Sequence, residues 1–415
     1  MHDFEFKGGD LYCEEVPLRR IAKEVGTPVY VYSRRTLRDH YRRLDEAFSS
    51  LPHFICYSVK ANSNLAVLAT LAAEGAGADI VSGGELYRAL KAGMSPDKVV
   101  YAGIGKTREE MDYALRSGIL MFNVESELEM EALDGVAGEL GTKAPVALRV
   151  NPDVDPETHP YIATGLREAK FGIGIEEAVE AYRRAAALGN LEVVGVHQHI
   201  GSQITHVEPF RESISRVGEL VEKLQSLGIG IRYINIGGGF GIPYRGEEVP
   251  YPRDYALALE PILRRSGCTV ILETGRMIVG NAGVLLTRVL YRKRTGEKRF
   301  LVVDAAMNDL IRPSLYGSFH EIVPVEKRDR QGEKVDVVGP VCESGDFLAR
   351  DREMPALEPG ELLAVMSAGA YSFTMSSNYN SRRRAAEVMV DGGRFEVVRE
   401  RESYDDLVRG ERIMA

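Results

Sequence analysis

The stretch "FICYSVKANSNLAVLATLAAEG", residues 54–75, spells out one structural unit. Its apolar and β-branched opening reads as a buried strand, the polar "KANSN" as a turn, and the Ala/Leu-rich remainder as a helix closing at Gly75, a residue that takes left-handed backbone easily. The same order recurs down the chain. Strand-like runs follow at "GADIVSG" (77–83), "VVYAG" (99–103), "ILMFNVES" (119–126), "VALRVNP" (146–152), "EVVGVHQHIG" (192–201), "YINIGGG" (233–239) and "VILETGR" (270–276). Helical stretches such as "GELYRALKAG", "TREEMDYALRSG" and "RESISRVGELVEKLQSLG" lie between them. Eight such β/α units predict a closed parallel (β/α)8 barrel over 36–281, with its functional groups at the carboxyl ends of the strands.

Near residue 282 the pattern changes to alternating runs, among them "GVLLTRVLYRK", "RFLVVDAA", "KVDVVGP", "ELLAVMSAG" and "FEVVRER". This predicts a second, all-β domain over 282–415, a sandwich or barrel. The first 35 residues, with the strand-like "TPVYVYS", are expected to join it, and "RRTLRDHYRRLDEAF" to form a helix before the first barrel strand.

Composition narrows the partners. The 415 residues are 44% hydrophobic and 27% charged, and the formal net charge of −9 would repel a polyanion. No nucleic-acid partner is expected. The acidic start "MHDFEFKGGD" lacks the apolar core of a secretory signal, and no run of 18 apolar residues offers a membrane span, so a cytoplasmic protein is expected. Cys13, Cys56, Cys268 and Cys342 show no C-x-x-C spacing and read as free thiols.

The unusual polar residues fall at the strand ends. Lys60 ends the first strand, Asp79 lies in the second, Arg149 ends the fifth, His197 and His199 lie late in the sixth, "GGG" (237–239) ends the seventh, and Glu273 and Arg276 end the eighth. A partly desolvated lysine amine is a Schiff-base nucleophile in waiting; the same lysine could instead reach solvent or pair with Asp79. The glycines 237–239 suit either an anion cradle or a plain tight turn, and Ile242 stands where a dinucleotide fingerprint needs its last glycine. "GIGKT" (103–107) is not a phosphate loop either, because Val100 occupies the position of the first glycine, and Lys106 is expected at the surface. His197 and His199, two apart on a strand, would share a face; no further ligands complete a metal shell, so no metal is expected, and a flat imidazole could stack on an aromatic cofactor. Glu273 needs a partner, and a protonated ring nitrogen is one. A lysine, a phosphate cradle, a stacking imidazole and such a carboxylate together describe a pyridoxal phosphate site.

At these residues the chain resembles the barrel-type, fold type III pyridoxal-phosphate decarboxylases, and within them the branch acting on meso-diaminopimelate. The blocks that carry the resemblance include "YSVKAN" (57–62), "ADIVSGGEL" (78–86), "HQHIGSQ" (197–203), "NIGGGFGIPY" (235–244), "ETGR" (273–276), "DAAMNDLIRPSLYG" (304–317), "GPVCESGD" (339–346) and "GAYSFTMSSNYN" (369–380). The resemblance implies an alanine racemase-like architecture and decarboxylation of meso-2,6-diaminopimelate to L-lysine. It implies that Lys60 carries the cofactor, that His199 stacks on its ring and that Glu273 pairs with the ring nitrogen. Asp79, Ser202, Gly237, Gly238, Gly239, Gly275, Arg276 and Tyr371 would complete the cofactor site. Arg276, Arg312, Tyr316, Glu343 and Tyr371 would bind substrate, and Cys342 would act as the catalytic acid. A homodimer is implied, the partner subunit lending its Cys-Glu pair.

One position departs from the family pattern. Thr274 stands where proline is usual in "ETGR", which frees φ and is expected to loosen that turn. A distal ammonium and a distal carboxylate on the substrate suit Glu343 and Arg312 respectively. A related decarboxylase of ornithine, lysine, arginine or a carrier-bound amino acid is the alternative.

Overall fold

The computed structural model describes residues 2–155 and 170–414, which divide into two units: one of residues 40–243 and 248–277, the other of 1–39, 244–247 and 278–415. In the first, all eight expected strands form: β1 (His53–Ser58), β2 (Gly77–Ile80), β3 (Val99–Tyr101), β4 (Met121–Val124), β5 (Ala144–Asn151), β6 (Leu191–His197), β7 (Tyr233–Asn235) and β8 (Thr269–Leu272). Each pairs in parallel with the next, and β8 pairs with β1, closing the barrel.

The strands are short, and their residues are almost wholly buried because the barrel presents one side to its interior and the other to the surrounding helices. Cys56, Val100, Met121, Ala147, Val194 and Ile271 pack together as one buried apolar cluster. The helices between strands begin on side-chain caps: Ser82, Thr107 and Ser126 each accept the backbone N–H three residues on, which satisfies a donor the helix leaves unpaired. Gly118 closes the helix that Thr107 caps, at φ +69°.

Several expected strands stop early at their carboxyl ends. β6 ends at His197, although the apolar run reads on to Gly201, and β7 ends at Asn235 before the three glycines. The backbone leaves the ladder where glycines and polar side chains provide other hydrogen bonds, so the groups at the mouth stand on turns.

The second unit is built on a nine-stranded sheet. Val29–Ser33, the "TPVYVYS" strand, lies between Gly283–Thr295, with which it is antiparallel, and Ala386–Asp391, with which it is parallel. The amino-terminal residues also make a small three-stranded antiparallel sheet, Phe4–Lys7, Asp10–Cys13 and Val16–Pro17. Phe4, Leu11, Val29, Val31, Val284, Leu286, Val388 and Val390 share this unit's apolar core. Among the described residues no helix is long and apolar enough to cross a membrane.

Candidate active site

β1 ends at Ser58 and the chain tightens into a single turn, Val59–Ala61, which lifts Lys60 off the strand. Its Nζ lies 2.6 Å from Asp79 Oδ2 on β2, and Ser58 donates to the same oxygen at 2.7 Å. The Lys60 side chain is 37% exposed while that of Asp79 is 0% exposed, so the amine is paired and still reachable. Burial raises the pKa of Asp79, the nearby charge of Glu273 adds to this, and Lys60 offsets part of it.

Glu273 follows β8 and is buried. Burial alone would push its pKa up; the His197 imidazole, with Nε2 3.2 Å from Oε2, and the Lys60 charge outweigh that and hold it well below the usual carboxylate range. Asn123 Nδ2 and Asn235 Nδ2 donate to Oε1 at 2.8 and 2.6 Å. Glu273 is therefore held as an anion.

The two histidines part company, contrary to the expectation that they share a strand face. His197 ends β6 and turns to Glu273, whereas His199 lies beyond the strand and accepts the Gly238 N–H at Nδ1 (3.1 Å). The alternation rule fails because the ladder stops between them. Burial, with the charges of Arg149 and Lys60 beside it, drives the His199 pKa well below the usual imidazole range. The ring is neutral, and its accepting nitrogen is fixed by the Gly238 contact.

The glycine turn threads a gap that side chains cannot enter. A Cβ on Gly238 would fall 1.8 Å from the Glu273 carbonyl oxygen, and one on Gly239, at φ +106°, 2.3 Å from that of Gly201. The amides of Gly237 and Gly238 are spent on Asn235 Oδ1 and His199 Nδ1. Arg276 Nη2 donates to Ser202 Oγ at 3.1 Å, bringing a fixed cation and a hydroxyl into one place. Gly275 fits against Ser58 and Ala61, where a Cβ would lie 3.0 and 2.8 Å from theirs. Thr274, buried, gives its carbonyl to Ser58 N–H (3.1 Å), and the single Ser58 hydroxyl proton is shared between Asp79 and the Glu273 carbonyl (3.1 Å). These two bonds tie the turn down where proline would otherwise restrict it.

Lys106 corrects an expectation: it is not at the surface. Its side chain is 1% exposed, and Nζ donates to the carbonyls of Gly103 (2.7 Å) and Asn123 (2.8 Å) and to Glu129 Oε1 (2.6 Å). Burial lowers its pKa and Glu129 offsets this in part. Sequence reading also passed over Asn123 and Asn235. Their signal was present in "FNVES" and "NIGGG": an amide inside an otherwise apolar strand must find a buried partner.

In the second unit, Arg312 opens the helix Arg312–Tyr316 and is buried, donating to Tyr244 Oη and approaching His320 Nε2, both at 3.0 Å. Tyr316 stands one turn along the same helix, half-buried. Ser314 Oγ donates to the Gly345 carbonyl at 2.5 Å, tying this helix to the loop that carries Cys342 and Glu343. Cys342 is exposed; its N–H goes to Asn380 Oδ1 (2.7 Å), and Glu343 accepts from Tyr379 Oη (3.2 Å). Tyr371 sits in left-handed backbone at φ +55°.

Residues 34–280 match the family described as "Pyridoxal-dependent decarboxylase, pyridoxal binding domain". The chain is 55% identical to a diaminopimelate decarboxylase of Pseudomonas aeruginosa over 100% of both chains. Among solved structures it resembles the Helicobacter pylori diaminopimelate decarboxylase complexed with L-lysine (43% identity, TM-score 0.92, 94% and 98% coverage). It also resembles the m. jannaschii diaminopimelate decarboxylase in complex with L-lysine (38% identity, TM-score 0.95, 100% and 99% coverage). The barrel's residues suit pyridoxal phosphate in each part: a reachable amine for an aldehyde, an ionised carboxylate for a ring nitrogen, a neutral flat ring, and a cation with a hydroxyl beside a glycine turn for a phosphate. The chain belongs to the pyridoxal-dependent decarboxylases, in the diaminopimelate decarboxylase family.

Proposed function

We propose that the chain decarboxylates meso-diaminopimelate to L-lysine and CO2, the last step of lysine biosynthesis by the diaminopimelate route. The observation that carries this reading is the buried Glu273, held as an anion at the end of β8 in the same barrel mouth as the reachable Lys60. The full-length likeness to diaminopimelate decarboxylases supports the choice of substrate.

Bound pyridoxal phosphate supplies an electron sink for the pair left behind when CO2 departs. The remaining work falls to this chain. Lys60 would hold the cofactor through its amine, and Asp79 Oδ2, 2.6 Å from Nζ, would orient that amine and favour its protonated form. Glu273 keeps a proton on the ring nitrogen, which an anion stabilises and a neutral acceptor would not. His199, neutral, covers the ring without competing for that proton. Arg276 and Ser202 would hold the phosphate beside the glycine turn, in which the amides of Gly237 and Gly238 are already donated to Asn235 and His199.

The substrate's far end calls for groups of both signs. Arg312 and Tyr316 take carboxylate and Glu343 takes ammonium, with Arg276 and Tyr371 contributing at the near end. Cys342 returns a proton to the α-carbon. The same reading makes the protein a cytoplasmic homodimer in which the partner subunit lends the Cys-Glu pair; it is supported by the family resemblance and by four cysteines that form no disulfide.

The test is to add pyridoxal phosphate to the purified protein, record an absorbance band for the lysine-bound cofactor, and assay CO2 from meso-diaminopimelate, ornithine, lysine and arginine. Release from meso-diaminopimelate supports the reading; release only from one of the others assigns the chain to a neighbouring specificity.

A further inference from the structure

A carboxylate has two oxygens and about four lone-pair directions. In Glu273 most are already taken. Asn123 and Asn235 both donate to Oε1, at 2.8 and 2.6 Å, and His197 Nε2 lies 3.2 Å from Oε2. Oε1 is saturated, and Oε2 retains one direction.

One of the two amides is itself anchored, and the other is held through its backbone. Asn235 accepts the Gly237 N–H at Oδ1 (2.9 Å), and the main-chain carbonyl of Asn123 accepts from the buried Lys106 Nζ (2.8 Å), which Glu129 and the Gly103 carbonyl hold in turn. Asn123 lies on β4 and Asn235 on β7, so two different strands of the barrel hold one oxygen. An amide N–H stabilises the anion but has no proton to give up at working pH, so it cannot neutralise the carboxylate.

We propose that Asn123, with its backbone pinned by Lys106, is a positioning residue for the reaction: it fixes Glu273 so that the remaining acceptor direction of Oε2 alone receives the ring-nitrogen proton. This rests on the reading of Glu273 as the ring-nitrogen partner. Losing Asn123 leaves the carboxylate ionised and still held by Asn235 at Oε1 and His197 at Oε2, but removes one of the three contacts that fix its plane, so the proton it holds on the ring is shared less well.

The test uses holoenzyme loaded with pyridoxal phosphate isotopically labelled at its ring nitrogen. In Asn123→Ala, kcat should fall roughly tenfold to a hundredfold, as for a lost hydrogen bond to a charged group, with KM for meso-diaminopimelate changed about twofold or less. The ring-nitrogen resonance should move from the protonated toward the neutral position. In a Glu273→Gln background the same substitution should cost nothing further, since the group it positions is gone. Asn123→Leu, of similar volume, replaces Ala if the smaller side chain prevents folding. An unchanged resonance, or an equal loss of kcat in both backgrounds, overturns the proposal. A wild-type resonance already at the neutral position overturns the reading of Glu273 itself, and the proposal with it.

Discussion

Lys60 Nζ and Asp79 Oδ2 lie 2.6 Å apart at the ends of adjacent barrel strands, one side chain reachable and the other wholly enclosed. An anion that close favours the protonated form of whatever nitrogen Lys60 carries. In holoenzyme the pH-dependent absorbance of the Lys60–cofactor linkage should therefore report on Asp79. Asp79→Asn, nearly isosteric, is expected to shift that transition to lower pH by roughly one unit or more. A transition at the same pH in both proteins contradicts the role of Asp79 as counter-charge.

Lys106 and Glu129 form a buried ion pair, 1% and 7% exposed. Replacing one member strands the other in a medium that solvates it poorly. Lys106→Met should destabilise the protein by about 3–5 kcal/mol, read as a lower urea midpoint. Lys106→Met combined with Glu129→Gln should recover most of the loss, because no charge is then left unpaired. A double variant as unstable as the single one would place the loss in packing and in the Gly103 and Asn123 carbonyls that Lys106 no longer satisfies, not in the unpaired charge.

Asp309 gives a stability effect with a definite sign. Burial pushes its carboxyl up to about 7 from an ordinary 3.8, against the pull of the Ala306 N–H. A raised folded-state pKa means the folded state holds a proton that the unfolded state has released. The contribution is fully present below the unfolded value and is lost as pH rises toward about 7. Asp309→Asn keeps the acceptor for Ala306 N–H and removes the titration. Melting temperatures measured from about pH 4 to pH 8 should decline less steeply in the variant than in the wild type, with the difference built up below about pH 7. Parallel curves would show that Asp309 does not titrate in this range.

Much of the fold was legible because a parallel barrel writes itself as repetition. Each buried strand is a short apolar run and each crossover an amphipathic helix with caps, so eight units announce a closed sheet. The strand ends were less legible. A run such as "GVHQHIG" gives no sign that the ladder stops at His197, because what stops it is the hydrogen bond from Gly238 to His199, a contact between segments far apart in sequence. Lys106 was misread for a related reason: a lysine before a helix usually faces water, and only the fold brings Glu129 and two carbonyls around its amine. Lys60 and Glu273 were found because a charge at the end of a buried strand is anomalous on its face. The amides that hold Glu273 carry no charge and drew no such notice.

The central claim is that this barrel uses Lys60 and pyridoxal phosphate to remove CO2 from meso-diaminopimelate. The direct measurement is product formation by the cofactor-loaded protein, wild type beside Lys60→Ala. The expected result is one L-lysine per CO2 from the wild type and neither product from the variant. A folded, cofactor-bearing wild-type protein that forms no lysine from meso-diaminopimelate would contradict the account.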